Sequence, residues 1–185
     1  MKIEEMEDHE AVVRCLEGET AAFKQIMDRY KEYAMAIALN MLMNREDAED
    51  ACQDAFVATF RNLNRFDPRR NFKNWFASIL CHGCLSRIRK RKRFRLFLGR
   101  FGSEQPMAFE APSSLTSSLP DSIPYAMNHL GPKERLALYL WSREGFSGEE
   151  IAAVLGCSRK TAYVHLYRAR VKLKTLLAEK TNAQL

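Results

Sequence analysis

Residues 146–170 read FSGEEIAAVLGCSRKTAYVHLYRAR, two short helical patterns separated by a single glycine. Ser147 and Glu150 have the spacing of a capping box, which satisfies two backbone donors at a helix start. Ile151, Ala152 and Leu155 then recur as an inward face, and Gly156 supplies the left-handed residue that ends the helix. Cys157 and Ala162 are small enough to let a second helix, starting at Ser158, dock at a steep angle. This is the layout of a helix-turn-helix. The outer side of that second helix offers Arg159, Lys160, Tyr163, His165, Tyr167, Arg168 and Arg170, cations for phosphates beside side chains that reach base edges. A plain helical hairpin would also carry a solvated basic face. The coincidence of cap, turn glycine and basic second helix favours DNA.

Upstream of this stretch, Pro132 opens a further helix that runs to about Glu144, and downstream the periodic pattern continues to about Ala178. Residues 98–123 hold several of the chain's prolines and a Ser/Thr cluster, the composition of a flexible connector. Residues 7–97 show helical periodicity throughout: a short helix over about 7–16 that ends at Gly18, a second from Thr20 to Met43, a third from Arg45 to Asn64 and a fourth from Phe72 to Arg93. In the second, Phe23, Ile26, Met27, Tyr30, Ala34 and Ile37 form the apolar stripe; Pro68 enforces the turn before the fourth. The expected fold is all-α, with two small helical domains at 7–97 and 124–180 joined by the connector.

Charge is divided between the two ends of the chain. Residues 1–60 hold 14 acids and 6 bases, a net of −8, and residues 61–185 hold 9 and 23, a net of +14, which together give the overall +6. One surface therefore suits a polyanion and another repels it. No run reaches the 18 or so apolar residues that span a bilayer, and the acidic N-terminus MKIEEMEDHE is unlike a secretory leader. Five cysteines, an odd number scattered among helical patterns, argue against a disulfide framework and for a reducing compartment. The expected location is the cytoplasm, with no membrane insertion.

Two further stretches carry chemistry. The fourth helix opens with Phe72, Trp75 and Phe76 and closes with RIRKRKRFR, where residues 87–95 include seven Arg/Lys and no acid. Taken singly, the aromatics read as core and the cations as a solvated end. Taken together, aromatics at the mouth of a basic track are the arrangement that holds single-stranded nucleic acid, and the preceding loop from Phe66 to Asn71, with Arg69 and Arg70, has room to receive an extruded base. The other stretch is REDAEDACQDAF, residues 45–56. Ala48, Ala51, Cys52, Ala55, Phe56 and Phe60 form its buried stripe, whereas Asp47, Asp50, Gln53 and Asp54 point away from it. Carboxylates repel phosphates, so these four read either as a solvated face favoured by the helix dipole or as a docking surface for a basic protein.

DAEDACQDAF, then FKNWF with its basic run, then EEIAAVLGCSRKTAYVHLYRARVKL, in that order and spacing, resemble a bacterial sigma factor of the extracytoplasmic-function (ECF, group IV) class. The resemblance implies a promoter-recognition subunit whose partners are core RNA polymerase, promoter DNA and an anti-sigma factor, acting as a monomer, without cofactor, metal or catalytic residue. It implies core-polymerase contact by Asp47, Asp50, Gln53 and Asp54. Minus-10 contact falls on Phe66, Arg69, Arg70, Asn71, Trp75, His82, Ser86, Arg89 and Arg93, and minus-35 contact on Arg159, Lys160, Thr161, Tyr163, His165, Tyr167 and Arg168. His82 and Ser86 stand where such factors commonly have an Asn and an Asp or Asn, and TAYVHL stands for a common Thr-Val-Lys/Arg-Ser-Arg-Leu. These departures shift base preference and leave open a sigma mimic that binds only an anti-sigma protein; a stand-alone helix-turn-helix regulator is a third reading.

An enzyme is the weakest case. Cys81-His82-Gly83-Cys84 has the CxxC spacing of zinc and redox sites, but zinc wants a second ligand pair, and redox CxxC motifs sit at helix starts where this one is in mid-helix. Core packing is the expected role of both thiols.

Overall fold

The computed structural model describes residues 3–98 and 126–182, with side chains described over 7–97 and 126–178. Past Leu98 the expected connector lies outside the described residues. Among the described residues the regular secondary structure is helical: α1 (Ile3–Leu16), α2 (Phe23–Leu42), α3 (Arg45–Arg61) and α4 (Phe72–Leu98), then α5 (Pro132–Ser142), α6 (Gly148–Leu155) and α7 (Arg159–Asn182). None of them is long and apolar enough to cross a membrane.

The α2–α3 junction shows how local chemistry sets the frame. Met43 takes the left-handed conformation (φ 55°) that ends α2, and the extended Asn44 caps α3 by accepting the Asp47 N–H at 2.8 Å. Alanines 48, 51 and 55 then let α3 approach its neighbours closely. Phe56 stacks on Phe76 of α4 at 4.9 Å between centroids, and Ile26, Ile37, Phe76 and Leu80 are fully buried. Each such side chain contributes about 1.5–3 kcal/mol of burial. At the other end, α1 is pinned to α2 by buried Asp8, which pairs with Arg29 and accepts the Tyr30 hydroxyl.

In the C-terminal group Leu136, Leu140, Ile151, Val154, Leu155 and Ala162 form the interior. Ser147 and Glu150 make the reciprocal capping box, and Gly156 is left-handed at φ 60° and ψ 47°. The core runs on without a break from α2–α4 into α5–α6. Arg135 carries the junction: it is 5% exposed, and its Nε donates to Asn40 O at 2.6 Å and Nη2 to Met41 O at 3.4 Å, capping the end of α2, while Nη1 serves Leu130 O and Met127 O within its own group. Burial pushes its guanidinium down to about 10, which leaves it cationic at neutral pH. Beside it, Lys73 pairs with Glu144 at 2.7 Å, and Asn74 donates to Glu150 at 3.2 Å.

Several boundaries differ from expectation. The first helix begins four residues earlier, at Ile3; a 3-10 turn over Thr20–Ala22 precedes α2, and a second over Leu63–Arg65 replaces the end expected for α3. α4 continues past Arg93 through Phe94-Arg95-Leu96-Phe97 to Leu98, α5 ends two residues earlier than expected, at Ser142, and α7 reaches Asn182, where residues of good helix propensity carry it past Ala178. Met27 and Phe60, expected inside, are 43% and 41% exposed. Thr59 takes the buried position instead, its hydroxyl bonded to Ala55 O at 2.7 Å.

Candidate nucleic-acid interface

Three surfaces hold the residues singled out from the sequence. On α4, Trp75, His82, Ser86, Arg89 and Arg93 follow at steps of seven, four, three and four, which places them on one helical stripe. His82, Ser86, Arg89 and Arg93 are exposed, and Trp75 is half-buried against Phe66 at 5.0 Å and Phe72 at 5.7 Å. The loop before α4 departs from expectation at two residues. Phe66 is buried, 8% exposed, wedged between the rings of Phe72 and Trp75, so it builds the loop's floor rather than an open receptor for a base. Asn71 caps α4, accepting the Asn74 N–H at 3.0 Å. Arg69 and Arg70 remain exposed on the turn that Asp67 organises.

The acidic face of α3 is less open than the sequence implied. Asp50, Gln53 and Asp54 are exposed, yet Arg87 of α4 pairs with Asp54 and lies 3.9 Å from Asp50. Asp47 is half-buried. Arg91 comes within 2.5 Å of its Oδ2, off the line that a hydrogen bond needs. Neither arginine was singled out in the sequence, although Arg87 and Arg91 are one turn apart on the side of α4 that faces away from the Trp75–Arg93 stripe.

On α7, Ala162, Leu166 and Ala169 are buried. The centre of the outward face is therefore Lys160, Val164 and Tyr167, with Arg168 at its edge. Val164, which the TAYVHL departure places in the recognition helix, is 38% exposed at the middle of this face. Thr161 is exposed and shares a hydroxyl contact of 2.8 Å with Ser158, which caps the helix. Tyr163 lies over Gly148, where an added Cβ would come within 2.6 Å of its ring, and Arg159 stacks on it at 5.6 Å while pairing with Glu149 at 2.7 Å. His165 stands apart from this face, half-buried on the α5 side. Burial first, then the Lys133 cation, hold its pKa below the ordinary value.

Cys81 and Cys84 are fully buried, and burial pushes both thiols up to about 12, as it does Cys52. Groups so reluctant to ionise are poor nucleophiles and poor metal ligands. No cluster of three or more metal-ligating side chains occurs among the described residues.

Residues 26–94 match the Sigma-70 region 2 family, and residues 121–173 match Sigma-70, region 4. The ECF RNA polymerase sigma factor EcfG of Rhodopseudomonas palustris is 31% identical over 142 residues, covering 77% of each chain. The chain belongs to the ECF sigma factor family. The RNA polymerase sigma factor CarQ of Myxococcus xanthus is 29% identical over 166 residues, 90% of this sigma factor and 95% of CarQ. In structure it is similar to the sigma factor RpoE from Bartonella quintana, solved in complex with the anti-sigma factor NepR, at a TM-score of 0.69 and 29% identity over 84% of this chain and 96% of that one. A sigma factor binds core RNA polymerase and directs initiation at chosen promoters, so α2–α4 form region 2 and α5–α7 region 4 of this one.

Proposed function

We propose the following division of labour among the residues of this sigma factor. Asp47, Asp50, Gln53 and Asp54 dock a basic surface of core polymerase. Trp75, His82, Ser86, Arg89 and Arg93 hold the unpaired minus-10 strand, with Arg69 and Arg70 on its phosphates. Lys160, Thr161, Tyr163, Tyr167 and Arg168 read and anchor the minus-35 duplex, with Arg159 at the rim. The supporting observation is the single stripe from Trp75 to Arg93, in which an aromatic edge leads into exposed cations on a side of α4 that the α3 acids do not share. Stacking there is worth about 1–3 kcal/mol per base, set against roughly 1.4 kcal/mol per opened step of duplex. The region 2 unit extends over 7–97 and the region 4 unit over 124–180, acting as one copy per polymerase in the cytoplasm.

A protein antagonist is a second part of the reading. The similar RpoE was solved with an anti-sigma factor, and the packed regions of this chain offer such a partner a single continuous body. The deciding experiment is run-off transcription by bacterial core polymerase with and without the protein, paired with a core-binding assay. Asp50→Ala with Gln53→Ala should abolish core binding and leave duplex affinity nearly unchanged. Equal loss of both would remove the polymerase role from α3, and anti-sigma binding without transcription would make the chain a sigma mimic.

A further inference from the structure

The α3 acids do not wait empty for polymerase. Asp54 pairs with Arg87, Asp50 lies 3.9 Å from the same guanidinium, and Asp47 pairs with Arg91 at 2.5 Å. The later acid takes the earlier arginine, so α3 and α4 run antiparallel with a ladder of charge between them. Both arginines belong to the seven-cation run of α4, the run whose other face is offered to the promoter strand. Asp50 and Asp54 keep 67% and 74% of their side-chain surface, and Arg87 and Arg91 keep 30% and 46%. The Arg87 pairs, with carboxylates this exposed, exchange partners readily, because solvent-exposed ion pairs are weakly held; Asp47, 26% exposed with its Oδ2 buried, holds Arg91 in a more sheltered place.

From this arrangement we infer that Arg87 and Arg91 are internal substitutes for the basic surface of polymerase, and that docking of the enzyme hands them over to promoter phosphates. In the free factor the two guanidiniums neutralise the acids, and the acids in turn hold the guanidiniums off nucleic acid. A basic partner that takes Asp50 and Asp54, and then Asp47, frees both arginines, whose long side chains reach around α4 from the far side toward the cations that face the strand. Linkage makes the effect reciprocal: a strand that draws Arg87 and Arg91 away strengthens the acids' hold on polymerase by the same factor. Polymerase and DNA therefore bind this factor cooperatively, and the free chain binds single strands weakly. This inference rests on the proposed role of the α3 acids as the polymerase contact.

The test has two arms with the full-length chain. In the first, a fluorescent single-stranded oligonucleotide is titrated without polymerase. Asp54→Asn should tighten binding about two- to fivefold, the range an exposed pair allows, and by more than Glu46→Gln, which makes the same charge change at the exposed start of α3. Adding Arg87→Gln should erase that gain, since coupled residues are non-additive. Equal gains from Asp54→Asn and Glu46→Gln overturn the inference. In the second arm, core polymerase is titrated without DNA. Arg87→Gln, with Arg91→Gln as an independent variant should the first melt early, removes an internal competitor and should tighten core binding about two- to fivefold. Unchanged or weaker binding, while Asp54→Asn still weakens it, overturns the handover and leaves the polymerase contact standing. Core binding indifferent to Asp54→Asn overturns the contact itself, and the handover with it.

Discussion

His165 illustrates how little of a residue's role is carried by its type. The sequence places it among base readers; the fold turns it toward α5, facing Lys133 and Glu134 there and Arg168 on its own helix. Its folded pKa lies below the ordinary 6.5, so the unfolded chain takes up the proton first. The stability it contributes is complete above that value and is lost as pH falls from there through the folded pKa. His165→Gln should therefore lower the loss of melting temperature between about pH 7.5 and about pH 5.5. An equal loss in both proteins would assign the acid sensitivity to other groups. Phe66 and Asn71 teach the same lesson. Both sit in a loop that reads as an open receptor, yet one is buried under Trp75 and the other is a helix cap, because an aromatic next to other aromatics packs and an Asn before a helix caps.

At the scale of elements the sequence was far more informative. The helix-turn-helix was legible because its signals are local: a Ser-x-x-Glu box, a glycine where a left-handed residue is required and small residues where helices cross. At Gly156 the demand is doubled, since an added Cβ would also come within 2.8 Å of His82 Nε2 across the molecule. Helix ends were less legible: α7 runs on through the polar Glu-Lys-Thr-Asn after Ala178, and α4 runs on past its basic run through Phe94-Arg95-Leu96-Phe97-Leu98. The ladder between α3 and α4 was not legible, because Asp54 and Arg87 lie 33 positions apart and each taken alone reads as a solvated charge. For α7 the exposed face carries a measurable consequence. Arg168→Ala should weaken duplex binding and reduce the slope of log affinity against log salt by about 0.9, the value of one phosphate contact on B-DNA. An unchanged slope would move Arg168 from DNA contact to packing around Glu134 and Lys172.

For the whole molecule the governing feature is the seam between regions 2 and 4. Lys73 is its electrostatic centre: it pairs with Glu144, lies 4.6 Å from the Tyr33 ring and 5.9 Å from that of Phe146, and is followed by Asn74, bonded to Glu150. Lys73→Glu would set a third carboxylate against Glu144 and Glu150 without emptying either core. The variant should show a larger radius of gyration by small-angle X-ray scattering at low salt, with its helix content unchanged; the wild-type radius would mean that apolar packing and Arg135 hold the seam without it. Nothing in the sequence pointed to this contact, which joins residues more than 70 positions apart.

The seam joins two parts of one chain, and that changes what strength it needs. A tether makes closure intramolecular, at an effective concentration on the order of a millimolar. Two separate pieces that met with a dissociation constant near 1 mM, about 4.1 kcal/mol of affinity, would be closed roughly half the time once tethered. From such a balance, a ligand that prefers the parted form by about a hundredfold moves nearly every molecule to it, and one that prefers the closed form by the same factor retires the pool. A seam built from the buried Arg135, Lys73, Asn74 and a shared apolar core can thus act as a set-point that a bound partner shifts.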